Sequence, residues 1–468
     1  MRFSSIDLLK KYRRPFPSGI VATTLSSTHP IAPNNTALKG SPPVDGMKDW
    51  LLKLGYQAEQ LNQLNVIHVA GTKGKGSTCA LVDCFLRQNA NRSGVRRKIG
   101  LYTSPSLRPN NRIRIDSQAI SDAILTKRIV EVEQGLSLGT NHSSPDSRKP
   151  GFLQMMAVVA FHHFIQEGVD VVICEAHHGG QFDATNFIER PIITAITRIG
   201  MDHVDNLGGS IQNIAWHKGG IFKENVSAFS APQVSEAEHE LRHRAEELKA
   251  PLHLISNITA TLSQFISDDT LKRIPLEQRE NFALAAQITY AFLQRKGHSL
   301  NEDDINAGID QYSWSGRFSV INFACSTWYL DGAHNETSIE LAAKWYERLS
   351  NKNASGPRVL VFAHFSPSRT RDWKGILEKL GSFLGPIQHA VFVQKIEADA
   401  RFSITNERLD DYAEVWRQRQ QWPSSLIYKE ANVRDAIDRT KNIGSGAQVL
   451  AIGSLYLVEA LLEQLNAS

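Results

Sequence analysis

One segment constrains this chain more than any other: Val66-Ile-His-Val-Ala-Gly-Thr-Lys-Gly-Lys-Gly-Ser-Thr78. An apolar, strand-like run enters a turn containing Gly71, Gly74 and Gly76, and a helical pattern follows. Glycines at such a turn let backbone N–H groups point inward and approach phosphate oxygens without side-chain clash. The start of the following helix adds partial positive charge. The segment Gly71, Thr72, Gly74, Lys75, Gly76, Ser77 and Thr78 is therefore the candidate nucleotide cradle. Lys75 is suited to bridge the β- and γ-phosphates, and Ser77 or Thr78 to offer a hydroxyl to Mg²⁺. The fit to G-x-x-x-x-G-K-[ST] is partial, because Val69 stands at the first glycine and Gly76 at the Ser/Thr position.

The flanking pattern supplies the context that such a turn needs. Short apolar runs at 65–70, 98–102, 169–175 and 192–197 alternate with helical patterns at 77–92, 152–167 and 210–222. Near-continuous apolar strands separated by helices predict a parallel sheet covered on both faces. Polar residues 235–249 and the Ala/Leu-striped 277–296 predict two more helices. A second alternating set follows, with strands near 328–331, 358–363, 389–394 and 449–453 and helices at 335–349, 372–384, 431–441 and 454–466. Two doubly wound α/β units result, residues 1–312 and 313–468.

Composition narrows the partners. The net charge of this 468-residue chain is +4, too mild for a nucleic-acid or membrane-surface protein. No apolar run reaches the roughly 18 residues of a membrane span. Four cysteines without a C-x-x-C pair predict buried free thiols in a reducing compartment. A cytoplasmic monomer acting on small molecules is the expectation. The basic, Ser/Thr-rich N-terminus faintly resembles a mitochondrial transit peptide, but also reads as a short helix over 6–12 and a loop over 16–45.

Candidate site residues sit at the ends of the apolar runs. Glu175 closes VDVVICE, and strand C-termini of open α/β sheets are where ligands bind. A carboxylate there needs a partner, so metal or water binding is its first reading. His203 follows the run at 192–197 and is either a ligand or a structural histidine. Lys218 lies in the apolar stretch Ile214-Ala-Trp-His-Lys-Gly-Gly-Ile221. It is either half-buried with a lowered pKa or a snorkelling surface lysine.

Six segments together resemble folylpolyglutamate synthase, a family of the Mur-ligase superfamily. They are Val69–Thr78, Leu101-Tyr-Thr-Ser-Pro105, Arg112-Ile-Arg-Ile115, Gly179–Asn186, Ala215–Lys223 and Tyr329-Leu-Asp-Gly-Ala-His-Asn335. The resemblance runs from about residue 45 to the C-terminus. It implies an α/β protein with an N-terminal P-loop ATPase domain built on a parallel sheet. A smaller C-terminal Rossmann-like glutamate-ligase domain follows. The implied reaction is ATP-dependent amide formation: a carboxylate takes the γ-phosphoryl group, and the amine of L-glutamate displaces phosphate from the acyl phosphate. The implied acceptor is tetrahydrofolate. The resemblance also assigns Ser104, Glu175 and His203 to Mg²⁺, and Lys218 to a lysine that is carbamylated in related enzymes. Gln278, Asn281 and Arg317 match ATP-contacting positions. Asp331 and His334 match a motif touching nucleotide and glutamate, with His334 at the reaction centre, and Ser454 a glutamate-site serine. Purely structural roles compete with these: Gly332 as a strand-to-helix turn, Asn335 as a helix cap, Arg317 as a linker charge.

The chain departs from the family pattern in places. Ser-Pro-His becomes Ser104-Pro105-Ser106, and Trp-Pro-Gly-Arg becomes Trp314-Ser-Gly-Arg317. Glu-Val-Gly-Ile/Leu-Gly-Gly becomes Glu175-Ala-His-His-Gly-Gly180, where a position needing positive φ would resent histidine. These changes bear on the acceptor more than on ATP. Two further readings are a paralogue joining an amino acid to another carboxylic acid, as in secondary metabolism, and a non-catalytic nucleotide-binding relative. Against the last, Lys75, Ser77, Glu175, His203, Lys218, Asp331 and His334 are all present.

Overall fold

The structure, a computed structural model, describes residues 4–12, 44–137, 149–350, 356–365, 372–396, 402–419 and 426–467. Most of the loop expected over 16–45 lies outside these residues. The chain divides into two compact units, Met1–Tyr312 and Ser313–Ser468.

The first unit holds eight strands: β1 (Ile67–Ala70), β2 (Ile99–Tyr102), β3 (Ile113–Ile115), β4 (Gln118–Ala119), β5 (Val171–Glu175), β6 (Ile193–Ile196), β7 (Ala228–Ser230) and β8 (Leu252–Leu254). Their order is β4-β3-β2-β5-β1-β6-β7-β8. Neighbours from β2 to β8 run parallel, while β3 and β4 add an antiparallel edge. Every residue of β1, β2, β5 and β6 is buried, as strands with helices on both faces must be. Helix Phe152–Gln166 is buried almost all round from Met155 to Phe164, which explains why its sequence is apolar without a clear stripe. Helix Lys75–Ser93 packs against helices Arg279–Arg295 and Glu302–Gln311. The chain passes from β1 to β2 on one side and later returns to β6 on the other. The strand order therefore reverses at β1, the kind of crevice where open α/β sheets bind ligands.

The second unit has six strands: β9 (Ser319–Phe323), β10 (Ser326–Leu330), β11 (Arg358–Phe362), β12 (His389–Lys395), β13 (Leu426–Asn432) and β14 (Ala447–Ile452). Their order is β13-β12-β11-β14-β10-β9, with only β9 antiparallel. Helices Glu336–Ser350, Trp373–Phe383 and Asn406–Arg419 enclose its main core with Trp345, Tyr346, Tyr412 and Trp416. The N-terminal helix spans Ser5–Lys10. Three cysteines are buried free thiols, whereas Cys325 is exposed. No helix among the described residues is long and apolar enough to cross a membrane.

Candidate active site

The phosphate turn forms where β1 ends. Gly71 has φ +142° and Gly74 φ +84°, and a Cβ at either would collide, with Thr197 Oγ1 at 1.9 Å and Asn281 Oδ1 at 2.1 Å. Both positions thus need glycine for backbone angle and for space. Gly74 caps helix Lys75–Ser93, and Ser77 and Thr78 are buried in its first turn. The turn is fastened to the loop after β6. Thr72 N and Lys73 N donate to Arg198 O at 3.0 and 3.1 Å, and Thr72 Oγ1 pairs with the Gly200 backbone in both directions at 3.1 Å.

Two ammonium groups converge on one carbonyl oxygen. Lys75 Nζ donates to Gly71 O at 3.1 Å, and Lys218 Nζ to the same atom at 2.8 Å. Lys75 also lies 3.8 Å from Glu175 Oε1. Lys218, only 3% exposed, is not a snorkelling surface residue. Burial first, and the neighbouring Lys75 second, depress its pKa to about 7, as expected for a cation removed from water beside another cation.

Ser104 and Glu175 come from the ends of the adjacent strands β2 and β5, and His203 from the loop after β6, on the other side of β1. Glu175 closes β5, and its Oε2 accepts the Ser104 N–H at 3.0 Å. The Ser104 hydroxyl accepts from Arg112 Nη1 at 2.8 Å. His203 has φ +53°, an uncommon conformation for a non-glycine residue, and stands at the N-cap of the short helix Val204–Leu207. Its neighbour Asp202 pairs with Lys73 at 3.7 Å. A buried carboxylate, a hydroxyl and a phosphate turn fit Mg²⁺, which takes one or two carboxylates plus phosphate oxygens and water. Among the described residues, no group of three or more His, Cys, Asp and Glu is gathered for a metal. This agrees with a site that draws ligands from serine and substrate.

Asn281 reaches the turn, with its Oδ1 3.5 Å from Thr78 Oγ1. Gln278 is buried at the entry to the same helix, and its Oε1 has no hydrogen-bond partner. The histidines after Glu175 cause no strain, because the positive φ falls on Gly179 (+73°). His177 instead fills buried space, its Nε2 2.7 Å from Tyr102 OH and its Nδ1 3.5 Å from Asp183. Asp183 also accepts the backbone N–H groups of His178 and Thr185. Lys73, Asp202, Arg112 and this Tyr102–His177–Asp183 chain had no assigned role in the sequence. Lys73, Tyr102, Arg112 and Asp183 lie inside quoted family segments, which is the signal that could have found them; Asp202 and His177 lie outside those segments.

In the second unit the remaining candidates gather at the C-terminal ends of β10, β14 and β11. Asp331 accepts the Phe318 and Ala333 N–H groups at 2.9 Å each, so its carboxylate ties the strand end to the residue after Arg317. Arg317 Nη1 lies over Gly332, donating to Gly316 O at 3.3 Å. His334 Nδ1 sits 2.7 Å from Gly332 O. Ser454 Oγ donates to Phe365 O at 3.3 Å, and Gly453 N to Ala333 O at 3.0 Å. Asn335 Oδ1 accepts the Ser338 N–H at 3.2 Å, the capping role foreseen for it.

Known proteins match this architecture. Residues 69–327 match the Mur ligase middle domain family. The folylpolyglutamate synthase of Neurospora crassa is 30% identical over 98% of this chain and 90% of its own length. The mitochondrial folylpolyglutamate synthases of Bos taurus and Homo sapiens are 35% and 34% identical over 68% and 72% of this chain, covering 58% and 60% of those proteins. The solved folylpolyglutamate synthase of Mycobacterium tuberculosis, complexed with ADP and AMPPCP, superposes with a TM-score of 0.74 at 24% identity, covering 91% of this chain and 96% of that one. The glycine turn with its two lysines, the acid at the end of β5 and these relatives lead to one conclusion: this chain belongs to the folylpolyglutamate synthase family.

Proposed function

We propose that the protein adds L-glutamate to tetrahydrofolate, driven by ATP, through an acyl phosphate. The observation that carries this reading is the meeting of Lys75, Lys218 and Glu175 at the Gly71 turn. Relatives named folylpolyglutamate synthase align along nearly the whole chain, and a related structure was solved with nucleotide. Two anions, a carboxylate and the γ-phosphate, must approach each other. Positioning and fixed positive charge are what such a step requires.

In this reading Gly71 to Thr78 present backbone N–H groups to the phosphates, and Lys75 neutralises the β/γ region. Bound Mg²⁺, held by Glu175, Ser104 and His203, supplies further charge neutralisation. Gln278, Asn281 and Arg317 hold the nucleotide, and Asp331 keeps the Arg317 segment in place. His334 and Ser454 bind the incoming amino acid, giving residues 1–312 most of the ATP contacts and 313–468 the glutamate role together with the Arg317 contact to nucleotide. With a pKa near 7, Lys218 is partly a neutral amine at physiological pH. Addition of CO₂ would release one proton and leave a carbamate, converting a cation into a metal-binding anion. The free cysteines fit action in the cytoplasm, and the mitochondrial names of the bovine and human relatives make import of this chain a question for fractionation.

The test is an acceptor screen. Protein, Mg-ATP, glutamate and a panel of carboxylic acids including tetrahydrofolate are incubated, and products are weighed by mass spectrometry. A tetrahydrofolate product heavier by glutamyl units, with ADP and phosphate, is expected. Turnover with another acid alone would replace folate as substrate.

A further inference from the structure

His178 is the second of two consecutive histidines in Glu175-Ala-His-His-Gly-Gly180. Unlike buried His177, its side chain is exposed. Its ring centroid lies 4.3 Å from that of His203, with the planes tilted by 58°. Both residues sit on anchored backbone. The His178 N–H is held by Asp183 at 2.6 Å, and the His203 loop is fastened to the phosphate turn through Thr72 and Gly200. Two imidazoles at this separation, on fixed loops, can direct ring nitrogens at one cation. Zn²⁺, a first-row example, binds imidazole nitrogen at about 2.0–2.1 Å.

A second imidazole does little for Mg²⁺, which prefers oxygen ligands in a tight octahedron. It favours first-row divalent metals, for which imidazole is a good ligand. We infer that His178 and His203 form a two-imidazole site for a first-row transition-metal ion beside the phosphate turn, completed by carboxylate, phosphate or water oxygens. The inference rests on the proposed nucleotide site for what the metal serves, but its ligand count can be measured without turnover.

The experiment uses the full chain with Cu²⁺ alone. Pulsed EPR counts coordinated ¹⁴N nuclei, and competition with Mg²⁺ gives relative affinity. Two imidazoles are expected in the wild type and one in His178→Leu. The preference for Cu²⁺ over Mg²⁺ should fall roughly tenfold or more in the variant. His178→Gln serves as a second variant should leucine unfold the loop, and thermal melting checks both. A single imidazole in the wild type, or a count unchanged by removing His178, would overturn the inference. ATP-dependent ligation by the wild type with Mg²⁺ is scored separately. Its absence would sink the ligase reading while leaving the imidazole count to decide this one.

Discussion

Lys75 and Lys218 meet at the carbonyl of Gly71, and the chemistry assigned to each is separable. Lys75→Ala should lower kcat by roughly 10²–10³ with an unchanged circular-dichroism spectrum; near-normal turnover would remove Lys75 from the reaction. Lys218 carries a pH signature. Its folded pKa of about 7 lies below the ordinary 10.5, so between those values the unfolded chain holds more protons and stability rises with pH. Below pH 7 the buried charge costs the folded state its full penalty. Lys218→Met should therefore raise Tm, and by more at pH 6 than at pH 9. An equal shift at both pH values would contradict the assignment. Gly74→Ala meets both a positive φ and Asn281, so a loss of about 1–3 kcal/mol in stability and weakened ATP binding are expected, read by denaturant melts and nucleotide titration.

At the scale of elements, helix Glu302–Gln311 braces the helix that starts at the phosphate turn. Its Asp304, 1% exposed, accepts from Arg92 at 2.7 and 3.0 Å, Asn89 at 3.1 Å and the Asn301 N–H at 3.0 Å. Burial pushes its pKa up, but Arg92 and the other donors prevail and hold it below the ordinary aspartate value. Asp304→Ala should cost about 3 kcal/mol at pH 7 by leaving those donors unpaired. Because the native pKa is depressed, that stability is present above the unfolded pKa and fades as pH falls through the folded one. Thermal melts of wild type and variant should converge in acid; a constant gap would rule out the ion pair as cause. This helix was missing from the sequence reading, as were β3, β4, β7, β8, β9, β13 and helix Asn406–Arg419. They are short, edge or strongly polar elements whose identity depends on what they pack against. The strands that carry the site, β1, β2, β5 and β6, were legible because burial on both faces leaves a continuous apolar run. The positions of Lys75 and Glu175 followed from those strands, whereas Lys218 was read from an apolar helical stretch that left its burial open. The Tyr102–His177–Asp183 chain did not, because a buried histidine network leaves no local pattern in sequence.

At the scale of the molecule, each of the main hydrophobic cores lies within one unit. A fragment of residues 1–312 is therefore expected to fold and to bind Mg-ATP by calorimetry, more weakly than the full chain because Arg317 is missing, yet to make no glutamylated product, because the proposal assigns amino-acid binding to residues 313–468. Product formation by the fragment would overturn that division. Activation of a carboxylate by the γ-phosphate is tested most directly with isotope. Tetrahydrofolate labelled with ¹⁸O in its terminal carboxylate is turned over with unlabelled ATP and glutamate, and the released phosphate is analysed by mass spectrometry. Attack of a carboxylate oxygen on the γ-phosphorus, followed by displacement by the amine, leaves one ¹⁸O in each phosphate. Phosphate without label, alongside glutamylated product, would contradict the acyl-phosphate account.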